Sequence, residues 1–155
     1  MFEKILVPID GSENSLKALE KATQIAKKFG GKITLLHVYS AATQPLIIPE
    51  PTGLSSHVIP IMTPTEISKI AEAAKQAGNR ILDDGENRVK AAEVEVEKML
   101  VEGHAVHEIV KIAKEGNYDL IILGARGISH IKEMFLGSVT DGVIHHATCP
   151  VLVIK

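Results

Sequence analysis

Three glycines and a serine stand in GARGISHIKEMFLGS, residues 124–138, at the spacing G-x2-G-x9-G-S. The apolar run YDLIIL precedes them and VTDGVIHHA, a helical stretch, follows. A strand, a glycine-bracketed turn and a helix start can bring backbone amides up to an anion. The first N–H groups of a helix lack partners and lie at the positive end of its dipole. In this reading the helix opens at Gly137-Ser138-Val139-Thr140, and the Ser138 and Thr140 hydroxyls add donors. Gly124 and Gly127 then let backbone approach a sugar or phosphate with no Cβ between. A plainer reading is equally open at this point, in which the glycines only permit turns. Asp10, in PIDGS, is the matching acid: an acceptor for ribose hydroxyls, or a ligand for a metal that bridges phosphates. Alone after a strand, an Asp is commonly a turn residue.

Two familiar nucleotide motifs are absent. The P-loop needs a lysine after its second glycine, and Gly137 is followed by serine; the dinucleotide fingerprint G-x-G-x-x-G is missing from DGSENS. No Ser-His-Asp order and no paired carboxylates stand near the glycine motif, so no general base for phosphoryl transfer is visible and no catalytic residue is assigned. His104 and His107, three apart on the third helix, have a spacing that could hold zinc, but no further ligand accompanies them. They read as solvated residues at a helix end. His145 and His146 read as positive groups near a helix C-terminus, His37 as a satisfied core histidine, and Cys149 as an inert buried thiol.

The elements that must position these groups alternate. KILVPID is an apolar strand, Ser12 a helix N-cap, and Leu16, Leu19, Ala22, Ile25, Ala26 and Phe29 the buried stripe of a helix closed by Gly30-Gly31. KITLLHV is the second strand. Residues 40–63 carry Pro45, Pro49, Pro51, Pro60 and Gly53 without a period, which predicts a flexible loop. Thr63, Pro64 and Glu66 form a capping box that restarts a helix. Its apolar stripe is Ile67, Ile70, Ala74, Ile81 and Val89, with Gly78 and Gly85 weakening the interior. EVEVEKML alternates as an edge strand does. A third helix over HAVHEIVKIAKEGN buries Ile109, Val110, Ile112 and Ala113. DLIILG, the helix from Ser138 to Ala147, and PVLVIK follow. Such alternation predicts an open parallel α/β sheet covered on both faces, with ligands at the carboxyl ends of its strands.

Composition narrows the partners. At 155 residues the chain suffices for one domain, and its net charge of −2 argues against a broad grip on nucleic acid. Three Phe, two Tyr and no Trp leave little for stacking on single strands. A single cysteine suits a reducing compartment, and MFEKILVPID is too short an apolar start for a signal peptide or membrane span. A cytoplasmic protein without nucleic-acid or membrane partners is expected.

KILVPIDGSENSLKALEKA, ITLLHV, DLIILGARG and FLGSVTDGVIHHATCPVLVIK, together with the glycine spacing, resemble the universal stress protein family, specifically its ATP-binding branch, over nearly the whole chain. The resemblance implies a single Rossmann-like nucleotide-binding domain over residues 1–155, with a five-stranded parallel sheet in the order 3-2-1-4-5. It also implies a homodimer and ATP (or ADP or AMP) bound with Mg²⁺ or Mn²⁺; which residues hold the metal stays unknown. The implied adenine lies near Val38 and Asp10, with Ile9 and Leu123 lining its pocket. The ribose lies near Pro8, Asp10 and Gly124, and the phosphates near Gly127, Gly137, Ser138, Val139 and Thr140; Arg126 is also expected among the nucleotide-binding residues. One departure is Gly103-His104-Ala105 where the family commonly has Gly-x-Pro, which would loosen the start of the third helix. The function implied is a nucleotide-dependent switch or stress-response regulator with an unknown protein partner. A slow metal-dependent ATPase and a nucleotide-free interaction module are the alternatives. In the order 3-2-1-4-5 the apolar strand 151–154 lies at an edge, where pairing with a second copy would give the dimer.

Overall fold

The computed structural model describes residues 1–40, 63–128 and 136–155. The expected loop over 40–63 therefore lies, its end residues apart, outside the described residues. The strands are β1 (Lys4–Pro8), β2 (Lys32–Tyr39), β3 (Val96–Glu102), β4 (Leu120–Gly124) and β5 (Val151–Ile154). The helices are α1 (Glu13–Phe29), α2 (Pro64–Lys90), α3 (Ala105–Glu115) and α4 (Ser138–His146). All strand pairs are parallel, in the order β3-β2-β1-β4-β5. This is the expected single α/β domain.

Alternate side chains of a strand point to opposite faces, and that period divides the core. Ile5, Val7, Ile33, Leu35, Leu120 and Ile122 pack with Ala18, Leu19 and Ala22 of α1 and Leu82 and Val89 of α2. Leu6, Leu36, Ile121 and Leu123 face the other way, onto Ile109 and Ala113 of α3 and Val143 of α4. With both faces covered, the central strands are apolar on successive residues, β1 from Ile5 to Pro8 and β4 along its whole length. Edge strand β3 does not keep the alternation read over residues 93–100. It begins at Val96, Glu97 and Lys98 are exposed, and Met99, Leu100 and Val101 are half-buried in succession because both faces of the sheet are covered there.

Local signals place the helix ends. Ser12 Oγ accepts from the Ser15 amide at 3.2 Å, and Gly30 closes α1 in the left-handed conformation, φ 70°. Thr63 and Glu66 form the full capping box of α2. α3 begins at Ala105 with His104 at its N-cap and no side-chain cap bond, so the helix starts there with Ala105 in place of the family's proline.

The buried face of α2 differs from the expected stripe. Ile67 and Ile70 are each 39% exposed, while Leu82, Val89, Gly78 and Gly85 are buried. α2 has 27 residues and β2 beneath it has eight, roughly 40 Å against 26 Å. The first turns of α2 overhang the sheet. Its glycines permit close approach: a Cβ at Gly78 would fall 2.7 Å from His37 Cδ2, and one at Gly85 would fall 2.9 Å from Ile9 Cδ1. On α3, Ile109 and Ala113 are buried, whereas Val110 and Ile112 are only half-buried. Among the described residues no helix is long and apolar enough to cross a membrane.

Candidate functional site

β1 and β4 are neighbours, so the loops that follow them open on one crevice at the carboxyl ends of the strands. A cavity of about 720 Å³, its open mouth included, occupies that crevice. Pro8, Ile9, Asp10, Val38, Leu123, Gly124, Arg126, Gly127, Gly137, Ser138, Val139 and Thr140 all line it. Ser15, Leu36, His37, Ala105, Ile109 and Ile128 complete the wall. Of these six, Leu36 and Ile109 follow the core period of their elements, and nothing in their spacing distinguishes a cavity wall from a core position, whereas Ile128 is an exposed loop residue.

The floor of the cavity is backbone. Gly137 is the N-cap of α4 and its amide donates to the Ala125 carbonyl at 2.8 Å. The Ser138, Val139 and Thr140 amides, first in the helix, have no acceptor within it. Ser138 is exposed and its hydroxyl is unpartnered among the described residues, so it is free to donate. Thr140 differs from expectation. It is buried and its hydroxyl donates to the Gly124 carbonyl at 2.8 Å, so its one proton is already engaged. What Thr140 offers an anion is its amide.

Asp10 joins the two loops. Its Oδ1 accepts the Ser12 amide at 3.0 Å and its Oδ2 accepts the Ile128 amide at 3.1 Å. A carboxylate has about four acceptor positions, so capacity for a ribose hydroxyl or a cation remains. Ile9, just beyond β1, is tied to β2 twice: its amide donates to the Leu36 carbonyl at 2.8 Å, and its carbonyl accepts from His37 Nδ1 at 2.7 Å. His37 is therefore half-buried and bonded, as a core histidine would be, and it also lines the cavity.

The glycines serve different needs than their shared motif suggests. A Cβ at Gly124 would come within 2.7 Å of the Asn14 backbone, so its missing side chain lets β4 close on α1. A Cβ at Gly127 would run into the Asp10 carboxylate. Neither absence opens a path for a ligand. At Gly137 a Cβ would meet nothing nearer than 3.4 Å, an ordinary contact.

The remaining candidates lie elsewhere. His104, His107 and His146 line a second groove with Lys111 and Lys114, and among the described residues no group of three His, Cys, Asp or Glu could hold a metal ion. His145 and His146 each donate from Nδ1 to the carbonyl four residues back, at 2.8 Å. Cys149 is half-buried rather than buried, and that burial pushes its thiol up, which favours the protonated form.

A family model described as "Universal stress protein family" matches residues 1–155. Universal stress protein YxiE of Bacillus subtilis is 37% identical over 156 residues, with all of both chains covered. The structure of universal stress protein UspA from Lactobacillus plantarum superposes with a TM-score of 0.80 at 26% identity, covering 99% of this chain and 98% of that one. A universal stress protein solved in complex with cAMP superposes with a TM-score of 0.68 at 26% identity, covering 99% and 97%.

Proposed function

Since the chain belongs to the universal stress protein family, we propose that it binds ATP in the crevice between the β1 and β4 loops and acts as a nucleotide-dependent switch. The observation that carries this reading is the cavity itself: twelve residues from four separate segments line one space that ends on the free amides of α4. Those amides and the exposed Ser138 hydroxyl suit phosphate, Arg126 adds a positive charge nearby, and the wall of Val38, Ile9 and Leu123 suits a base. A structural relative that holds cAMP supports an adenine nucleotide of this general shape.

Mg²⁺ or Mn²⁺ would enter with the phosphates. Asp10 is the only carboxylate among the described residues lining the cavity, so the ion would take most of its oxygens from phosphate and water. Hydrolysis should be slow. With Nδ1 protonated, the basic nitrogen of His37 is Nε2, and that edge of the ring packs against Gly78 of α2. Asp10 uses an acceptor position of each oxygen on an amide and is read here as a ribose or cation ligand, so no residue is assigned as a general base. We expect turnover below roughly 1 s⁻¹, the low end for enzymes. Metal-dependent phosphate release at or above that rate, lost in Asp10→Ala, would replace the switch with an enzyme.

The direct test is to precipitate the purified protein with acid and identify any released nucleotide by mass, then titrate ATP, AMP and cAMP by calorimetry with and without Mg²⁺. ATP binding strengthened by Mg²⁺ is expected. No bound nucleotide and no heat with any of the three would end this reading.

A further inference from the structure

Gly78 lies on α2 and is not part of the cavity wall, yet it is one step from the cavity. Its Cα hydrogen packs on the His37 ring, where a Cβ would sit 2.7 Å from Cδ2 and 3.3 Å from Nε2. The ring is thus confined on its Cδ2–Nε2 edge by a helix. On the opposite edge Nδ1 lies 2.7 Å from the Ile9 carbonyl; a carbonyl only accepts, so Nδ1 carries the proton. Ile9 immediately precedes Asp10, and the Asp10 carboxylate holds the Ile128 amide of the β4 loop. These contacts run without a gap from α2 to the far wall of the cavity.

We propose that His37 is a positioning residue for the nucleotide site: it fixes the Ile9 carbonyl and thereby sets Asp10 and the Ile128 loop, while Gly78 sets the ring. The proposal rests on the nucleotide reading for its effect on affinity, but its effect on the loop does not need a ligand. β1 ends at Pro8, so Ile9 and Asp10 lie past the last ladder pair with β2. One backbone bond, from the Ile9 amide to Leu36, would leave that peptide free to swing. The second bond, to a side chain on the neighbouring strand, removes that freedom before any ligand arrives, and preorganisation of this kind raises affinity by reducing the ordering cost of binding. It also gives α2 a route to the site. A displacement of α2 at Gly78 moves the ring, and the ring moves Asp10.

The two nitrogens of the ring can be imitated separately. The Asn side-chain amide superposes on Nδ1 and that of Gln reaches Nε2, so His37→Asn keeps the bond to Ile9 and His37→Gln loses it. Three readouts are taken on each: thermal melting, exchange of the Ile128 amide followed by NMR without ligand, and ATP affinity by calorimetry. His37→Asn should stay within about twofold of the native protein in both exchange and affinity. His37→Gln should weaken ATP about tenfold and speed Ile128 exchange by a similar factor, the scale of one lost hydrogen bond. Gly78→Ala should shift both in the same direction by a smaller factor, although residue 78 touches no ligand. If His37→Asn and His37→Gln behave alike in Ile128 exchange, the positioning role is wrong, whatever the affinity does. If the native chain binds no ATP but the exchange pattern holds, the nucleotide reading fails and the positioning of Asp10 stands. An unmoved Ile128 amide in Gly78→Ala would remove α2 from the relay.

Discussion

A Cβ on Gly124 falls 2.7 Å from the Asn14 backbone, whereas one on Gly137 has only ordinary contacts, the nearest at 3.4 Å. The two positions should therefore fail in different ways. Gly124→Ala forces β4 off α1 and should destabilise the fold by about 1–3 kcal/mol, the usual cost of overpacking, with or without nucleotide. Gly137→Val has room for its Cβ and should fill the space where a phosphate would meet the α4 amides, so it is expected to melt normally and lose ATP. Denaturant melts and calorimetry on both variants separate the effects. A well-folded Gly137→Val that binds ATP unchanged would remove α4 from the site. The two hydroxyls make a second pair. Thr140→Val deletes a buried donor to the Gly124 carbonyl, for about 1 kcal/mol of stability, and should leave ATP affinity nearly unchanged. Ser138→Ala should do the reverse, weakening ATP with little effect on melting. Equal effects of the two on affinity would mean that Thr140 leaves its buried partner to meet the ligand. The glycine spacing announced this loop from sequence, but which glycine serves packing and which leaves room depends on Asn14 and Asp10, distant in the chain.

At the scale of the element, α2 offers a titratable end. Hydrogen bonds to Thr63, the backbone one foremost, hold the Glu66 carboxyl below its ordinary 4.5. A depressed carboxyl contributes its full stability above the unfolded value and loses it as pH falls through the folded value. The first turn of α2 should stay closed above 4.5 and fray progressively as the pH falls below it. Chemical shift and exchange of the Glu66 amide, which donates to Thr63 Oγ1 at 3.3 Å, report this directly. Glu66→Ala should lose the pH dependence; if it persists unchanged, the capping box is not its source. Both ends of this argument were readable in TPTE, because a cap is decided within four residues. The buried face of α2 was not. Ile67 and Ile70 continue an apolar period past the end of the sheet, and a helical period carries no record of where its partner strand stops. Gly78 and Gly85, which read as weak points, are where α2 comes closest to β2. The site was legible where it is made of loops at strand ends, as with Asp10 and Gly137-Ser138. Ile109 and Leu36 were not, since an apolar residue looks the same whether it faces a core or a cavity.

For the molecule as a whole, the two sheet edges are built differently. β3 carries Glu97, Lys98 and Glu102, and Lys98 pairs with Asp83 at 2.7 Å and Glu86 at 2.8 Å of α2. Charge at an edge discourages pairing with another sheet. β5 has only Val151, Leu152, Val153 and Ile154, each half-buried in the single chain. Its register shows which groups are available. The Ile121 amide donates to the Pro150 carbonyl and the Ala125 amide to the Ile154 carbonyl, so even-numbered residues face β4. Residues in a strand alternate, which turns the N–H and C=O of Val151 and Val153 outward. Two such edges can pair antiparallel about a two-fold axis, closing both and stopping at a dimer. Val153→Pro removes an outward donor and takes nothing from the bonds to β4, a position where an edge strand tolerates proline. The native chain should scatter light as twice its 16.7 kDa mass at micromolar concentration, and Val153→Pro as a folded monomer with the same cavity between the β1 and β4 loops. A dimer that survives Val153→Pro would place the interface elsewhere, and a native chain that stays monomeric would mean that an apolar edge of four residues is too short to hold two copies together.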